Sequence, residues 1–148
     1  MTEKFNKCLK FVLDREGRSY ENNSADPGGE TKFGISKKSY PNVDIKHLTE
    51  EQAGTIYLRD YWIPLNCEDY IDPRLSLALF DCGVNQGVGT AKQILDKTAL
   101  IQGNEFTVEQ FLLVRLRFYF NLCQRNPKLF TWLKDWVLRI IKISEYQF

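Results

Sequence analysis

Thr49 and Thr107 each stand three residues before a glutamine, at the start of an apolar, helix-periodic stretch. Thr49-Glu50-Glu51-Gln52 and Thr107-Val108-Glu109-Gln110 read as capping boxes, in which the threonine hydroxyl and the glutamine amide satisfy backbone N–H groups at a helix start. Asp72-Pro73 gives a third start, an N-cap followed by a proline whose fixed φ suits the first helical position. These signals divide the chain into successive helices. The first repeats Phe5, Cys8, Leu9, Val12 and Leu13 at helical spacing and stops near Gly17. The capped helix after Thr49 ends near Tyr61-Trp62. A strongly apolar helix from Asp72 to about Asn85 is predicted to be the central, most buried one. Gly87 and Gly89 break the pattern, and Thr90 opens the next helix. The helix after Thr107 stops near Asn126-Pro127, and a last one carries Phe130, Leu133, Val137, Ile140 and Ile141.

One stretch escapes the helical pattern. Ser19 to Ile35 is rich in Asn, Asp, Pro and Gly, then closes on Thr-Lys-Phe-Gly-Ile, which reads as a hairpin or small irregular sheet around Asp26-Pro27-Gly28-Gly29. The predicted fold class is therefore α+β, mainly α, with a small β-hairpin element near the N-terminus. With 148 residues and 43% apolar content, the chain is expected to form a single domain with a real core.

The charge balance, 20 Lys and Arg against 19 Asp and Glu, argues against a nucleic-acid binder that relies on a bulk basic field. The N-terminus alternates charged and apolar residues, so no signal peptide is expected and synthesis is expected to be cytoplasmic. No segment approaches the length of a membrane span, so no stable membrane insertion is expected. The four cysteines lack C-x-x-C spacing and His47 is the single histidine, so no metal site is expected and the thiols are expected to be buried and reduced.

Three residues are candidates for the chemistry. Glu16 falls at the end of the first helix, Asp26 inside the turn and Thr31 in the strand-like segment. Glycosidic cleavage needs a proton donor on one face of a sugar and a carboxylate or activated water on the other. A helix C-terminus carries partial negative charge, so a carboxylate there is disfavoured in its charged form, which suits a proton donor. Each residue also has an ordinary reading: a solvated helix-end Glu, a turn Asp bonding its own backbone, a strand Thr. Glu30 is a rival carboxylate, but strand alternation turns its side chain away from that of Thr31. Tyr20 and Tyr61 are candidates for lining a sugar groove. Asn85 and Gln86, at the end of the central helix, are candidates for meeting acetamido groups. Asp81, on an apolar helix, reads more readily as a satisfied buried carboxylate than as a site residue.

The runs Glu16-Gly17, Ala25-Asp26-Pro27-Gly28-Gly29-Glu30-Thr31 and Phe33-Gly34-Ile35-Ser36 resemble the N-terminal signature of glycoside hydrolase family 108. Asp60-Tyr61-Trp62, Leu79-Phe80-Asp81-Cys82, Asn85-Gln86-Gly87 and the stretch from Arg117 to Arg139 extend the likeness over nearly the whole chain. That family is lysozyme-like and includes phage and prophage endolysins; some members are described as secretion activators. The resemblance implies a single lysozyme-like domain over residues 1–148, with the catalytic motif in 1–102 and a helical portion, 103–148, completing the fold. It implies an N-acetylmuramidase cleaving the MurNAc-GlcNAc bond of peptidoglycan without a cofactor. Glu16 matches the family's catalytic Glu, and Glu16, Asp26 and Thr31 keep the order of the acid and the water-handling pair in phage lysozymes. Delivery to the cell wall then calls for release or a holin. Two rivals stay open: a lytic transglycosylase using Glu16 alone, and a non-catalytic wall-binding or secretion-helper protein. The family usually reads Glu-Gly-Gly, and this chain has Arg18 at the second glycine. Arg18 either disturbs Glu16, points away from it, or binds a peptide-stem carboxylate.

Overall fold

A computed structural model describes residues 1–22 and 29–148. By its internal contacts the chain falls into two units, Met1–Ile63 and Pro64–Phe148.

In the first unit, α1 (Glu3–Glu16) starts at Thr2, whose hydroxyl accepts from the Phe5 N–H at 3.2 Å. It stops where Gly17 takes a φ of +84° and donates its N–H to the Leu13 carbonyl. Phe5, Cys8 and Val12 form its buried stripe, and Phe5 packs edge-on against Trp62 with ring centroids 5.2 Å apart. A three-stranded antiparallel sheet follows, β1 (Glu21–Asn22), β2 (Glu30–Lys32) and β3 (Ile35–Ser36), in that order. Thr31 lies opposite both Glu21 and Ser36, and Lys32 opposite Ile35. The expected turn at Asp26-Pro27-Gly28-Gly29 falls largely outside the described residues. A second turn interrupts what reads in sequence as one strand: between β2 and β3, Phe33 and Gly34 take φ of +53° and +73°. Positive φ at both central residues is the mark of a type I′ hairpin, whose twist suits the flanking strands.

Thr49 and Gln52 complete the capping box of α2 (Glu50–Tyr57), at 2.9 and 3.2 Å. The helix does not continue as α to Trp62; Leu58–Trp62 is a π-helical turn, closed by the Ile63 N–H on the Leu58 carbonyl at 3.0 Å.

The second unit is helical. A short 3₁₀ turn, Cys67–Asp69, leads to α3 (Pro73–Gln86), capped by Asp72, and α3 is buried without a break from Leu75 to Gly83. It is the central helix expected from its composition, packing against α4 (Val88–Gln102), α5 (Val108–Arg125) and α6 (Phe130–Ser144). α4 begins two residues earlier than Thr90 because Gly87, at φ +85°, absorbs the turn and leaves Gly89 inside the helix. The Thr107–Gln110 box opens α5, and Pro127 follows its end.

Asp81 sits at the middle of this unit with no exposed surface. Its carboxylate accepts from Arg115 Nη1 at 2.7 Å and from Arg139 Nε at 2.8 Å. Arg115, also fully buried, donates further to Gln86 Oε1 (2.8 Å) and the Tyr119 hydroxyl (3.1 Å), and Tyr119 stacks on Trp136 at 4.6 Å. Burial alone would weaken the charge on Arg115, but Asp81, Cys82 and Tyr119 outweigh it and hold the guanidinium protonated. All four cysteines are buried free thiols, and burial pushes that of Cys82 up to about 11. Among the described residues no helix is long and apolar enough to cross a membrane, and no group of His, Cys, Asp and Glu is placed to hold a metal ion.

Candidate active site

Glu16 is the last residue of α1 and half-buried. Its aliphatic stem lies against the Phe33-Gly34 turn. A Cβ at position 34 would stand 2.8 Å from Glu16 Cβ and 2.7 Å from the Tyr57 hydroxyl. Glycine is thus required there twice over, by the positive φ and by the space. The Tyr57 hydroxyl donates to the Phe33 carbonyl at 2.8 Å, fixing the turn to α2. Phe33 is a bulky residue in the left-handed region, a conformation that costs on the order of 1–3 kcal/mol. Its ring is 7% exposed, so burial together with the Tyr57 hydrogen bond offsets that cost. Helix end and hairpin therefore meet at Glu16. Thr31 is on β2 of the same hairpin, partly exposed, while Asp26 lies outside the described residues.

Arg18 is turned to other work. Its guanidinium bonds Asp14 at 2.9 Å and Glu50 at close range, and both carboxylates raise its affinity for the proton further. Asp14 is correspondingly held below the usual carboxylate range, first by Lys10 and then by Arg18. The extra cation next to Glu16 in sequence is thus shared between two other acids.

Tyr20 donates its hydroxyl to Glu30 Oε1 at 2.7 Å, which engages the rival carboxylate as well. Tyr61 is carried by the π-helical turn, with its ring 5.7 Å from that of Tyr57. A polar cluster adjoins it: Tyr40 donates to Asp60 Oδ2 at 2.9 Å, and Arg59 grips both Asp60 oxygens at 2.6 Å. Burial, then Tyr61, then Asp60 push the Tyr40 phenol far above its ordinary range. Arg59 holds Asp60 low against the opposing effect of burial.

Asn85 and Gln86 belong to the second unit, beside a cavity of 210 Å³ lined with Phe118, Tyr119, Leu122 and Trp136. Asn85 is exposed and donates to the Asp81 carbonyl at 3.0 Å. Gln86 Oε1 accepts from both Arg115 Nε and Cys82 Sγ, an arrangement that fixes the amide orientation because a guanidinium only donates. Its Nε2 is buried and donates to nothing among the described residues.

Sequence reasoning missed Tyr57 and the Phe33-Gly34 turn as the parts that position Glu16. The only local signal was the glycine itself, since Phe is a poor residue for positive φ. Asp60 stood out only through the family likeness of Asp60-Tyr61-Trp62, and no spacing named Tyr40 and Arg59 as its partners.

A helix-end glutamate thus meets a glycine turn of a small sheet in a mainly helical protein. The glycosyl hydrolase 108 family model matches residues 9–87, more than half of the chain, and the chain belongs to that family. It is a glycoside hydrolase of the lysozyme-like, peptidoglycan-cleaving kind. Among solved structures, that of Brucella abortus SagA superposes with a TM-score of 0.73 at 21% identity, covering 94% of this chain and 90% of that one. That likeness speaks to the fold, which is lysozyme-like. No curated protein matches the chain in sequence.

Proposed function

We propose that the protein is an N-acetylmuramidase that cleaves the MurNAc-GlcNAc bond of peptidoglycan, with Glu16 as the general acid. The observation that carries this reading is the packing of the Glu16 stem on Gly34, which sets the carboxyl at the junction of α1 and the hairpin. Glu16 donates its proton to the leaving glycosidic oxygen. Asp26, with Thr31, places or activates the water, or stabilises the oxocarbenium-like charge. Tyr20 and Tyr61 contribute to the sugar groove. Asn85 and Gln86 offer polar contacts for acetamido groups at an aromatic-lined cavity. A single lysozyme-like domain over residues 1–148, with the catalytic motif in 1–102 and 103–148 completing the fold, belongs to the same proposal. So does an endolysin role, with a holin pore as the route to the wall.

Arg18 favoured a non-catalytic wall-binding protein as long as it threatened Glu16. Its engagement by Asp14 and Glu50 favours the catalytic reading. The test is clearing of purified peptidoglycan by wild type and Glu16→Gln. The variant is expected to lose activity by roughly 10²–10⁴-fold with its fold intact. A variant that clears as fast as wild type would remove Glu16 from the mechanism. Mass spectra of the products separate hydrolysis, which leaves reducing ends, from transglycosylation, which leaves anhydro ends.

A further inference from the structure

The second unit exposes an apolar face that its own packing does not use. On α5, Leu113 and Phe120 are 65% and 46% exposed; on α6, Phe130, Leu138 and Ile141 are 47%, 43% and 42% exposed. The spacing puts each set on one side of its helix. An open groove of 670 Å³ runs between the two helices, floored by Leu133 and Val137 and edged by Leu113 and Phe120. Soluble monomers rarely leave this many large apolar side chains exposed beside an open groove without an occupant.

Charge indicates which occupant. Each stripe carries one cation in its middle, Arg117 between Leu113 and Phe120, and Lys134 between Phe130 and Leu138. Over residues 108–148, 7 Lys and Arg face 3 Asp and Glu, whereas residues 1–107 carry 13 against 16. Arg117, Arg125, Lys128, Lys134 and Lys142 are exposed or nearly so, and none makes an ion pair among the described residues. A second copy seated on this face would set unpaired cations against cations. An anionic bilayer would accept the apolar stripes at the acyl boundary while the long cationic side chains reach the phosphates.

We propose that the α5–α6 face docks the enzyme on anionic phospholipid membranes, lying on the surface without crossing it. The inference stands apart from the assignment of Glu16.

Co-sedimentation of the full chain with vesicles tests it, using equal parts phosphatidylglycerol and phosphatidylcholine against phosphatidylcholine alone. Wild type is expected to bind the mixed vesicles at least about tenfold more tightly, and to be released by high salt. Leu138→Asp is expected to abolish binding, and Arg117→Glu with Lys134→Glu to weaken it by roughly tenfold or more. Both variants should keep wild-type thermal unfolding and vesicle-free peptidoglycan clearing. Equal binding to the two vesicle types, or binding untouched by Leu138→Asp, would overturn the proposal. So would light scattering that shows a dimer broken by Leu138→Asp, or an acidic protein partner held by a face that binds no vesicles.

Discussion

The two units handle their acids in opposite ways. In the first, carboxylates sit at the surface and are held by short-range partners: Asp14 by Lys10 and Arg18, Asp60 by Arg59 and Tyr40, Glu30 by Tyr20. In the second, one carboxylate is sealed inside the helical core and bound by two arginines. The lesson is that burial of an acid on a central helix marks a structural role here. The candidate proton donor is instead the half-buried Glu16, whose stem packs on the Phe33-Gly34 turn. A buried pair needs its partners to offset desolvation, so it is ill suited to exchange protons with a substrate.

The sharpest way to break this contrast is to remove Asp81. Asp81→Ala leaves the buried guanidinium of Arg115 without its carboxylate and is expected to cost about 3–5 kcal/mol in denaturant unfolding. The fraction that remains folded should clear peptidoglycan at the wild-type rate per folded molecule. A well-folded but inactive Asp81→Ala protein would make Asp81 a site residue and reverse the assignment of roles.

A smaller effect is expected at the glycine turn. Gly34→Ala places a methyl group 2.7 Å from the Tyr57 hydroxyl at a φ of +73°. The left-handed conformation alone costs roughly 1–2 kcal/mol for alanine, and relief of the contact must shift either the turn or Glu16. Activity should then fall by about tenfold to a hundredfold, since displacements near 1 Å are enough for that. The two losses are separable: melting gives the stability term, and the rate well below the melting range gives the positioning term. Full activity at reduced stability would show that the turn supports the fold and does not aim Glu16.

How much of this was legible in the sequence follows from how local each cause is. The caps at Thr49, Asp72 and Thr107 were readable because donor and acceptor lie within three residues of each other. The end of α1, and with it the position of Glu16, was readable from Gly17 for the same reason. Asp81 was readable as a satisfied acid, but its partners stand 34 and 58 residues away and no periodicity names them. The Phe33-Gly34 turn was hidden because Tyr57, 24 residues on, stabilises a conformation that phenylalanine does not choose by itself. Arg18 looked like a threat to Glu16 because sequence shows the neighbour along the chain and not Glu50, 32 residues on.

The smallest effect tests the surface half of the comparison through pH. Arg59 and the Tyr40 hydroxyl hold the Asp60 carboxyl below its ordinary value, against burial that works the other way. A carboxylate whose folded-state pKa is depressed adds stability that is complete above its unfolded pKa, about 4, and is lost as pH falls through the folded value. Asp60→Asn should therefore lie below wild type by a constant gap from neutrality down to about pH 5, and the two should converge below about pH 4. The Asp60 side chain is 30% exposed, so solvent screens the interaction; the gap is expected to be less than about 1 kcal/mol. Thermal unfolding of both proteins across that range measures it. If the gap approached that of Asp81→Ala, or failed to close in acid, the ion pairs of the first unit would be as structural as those buried in the second.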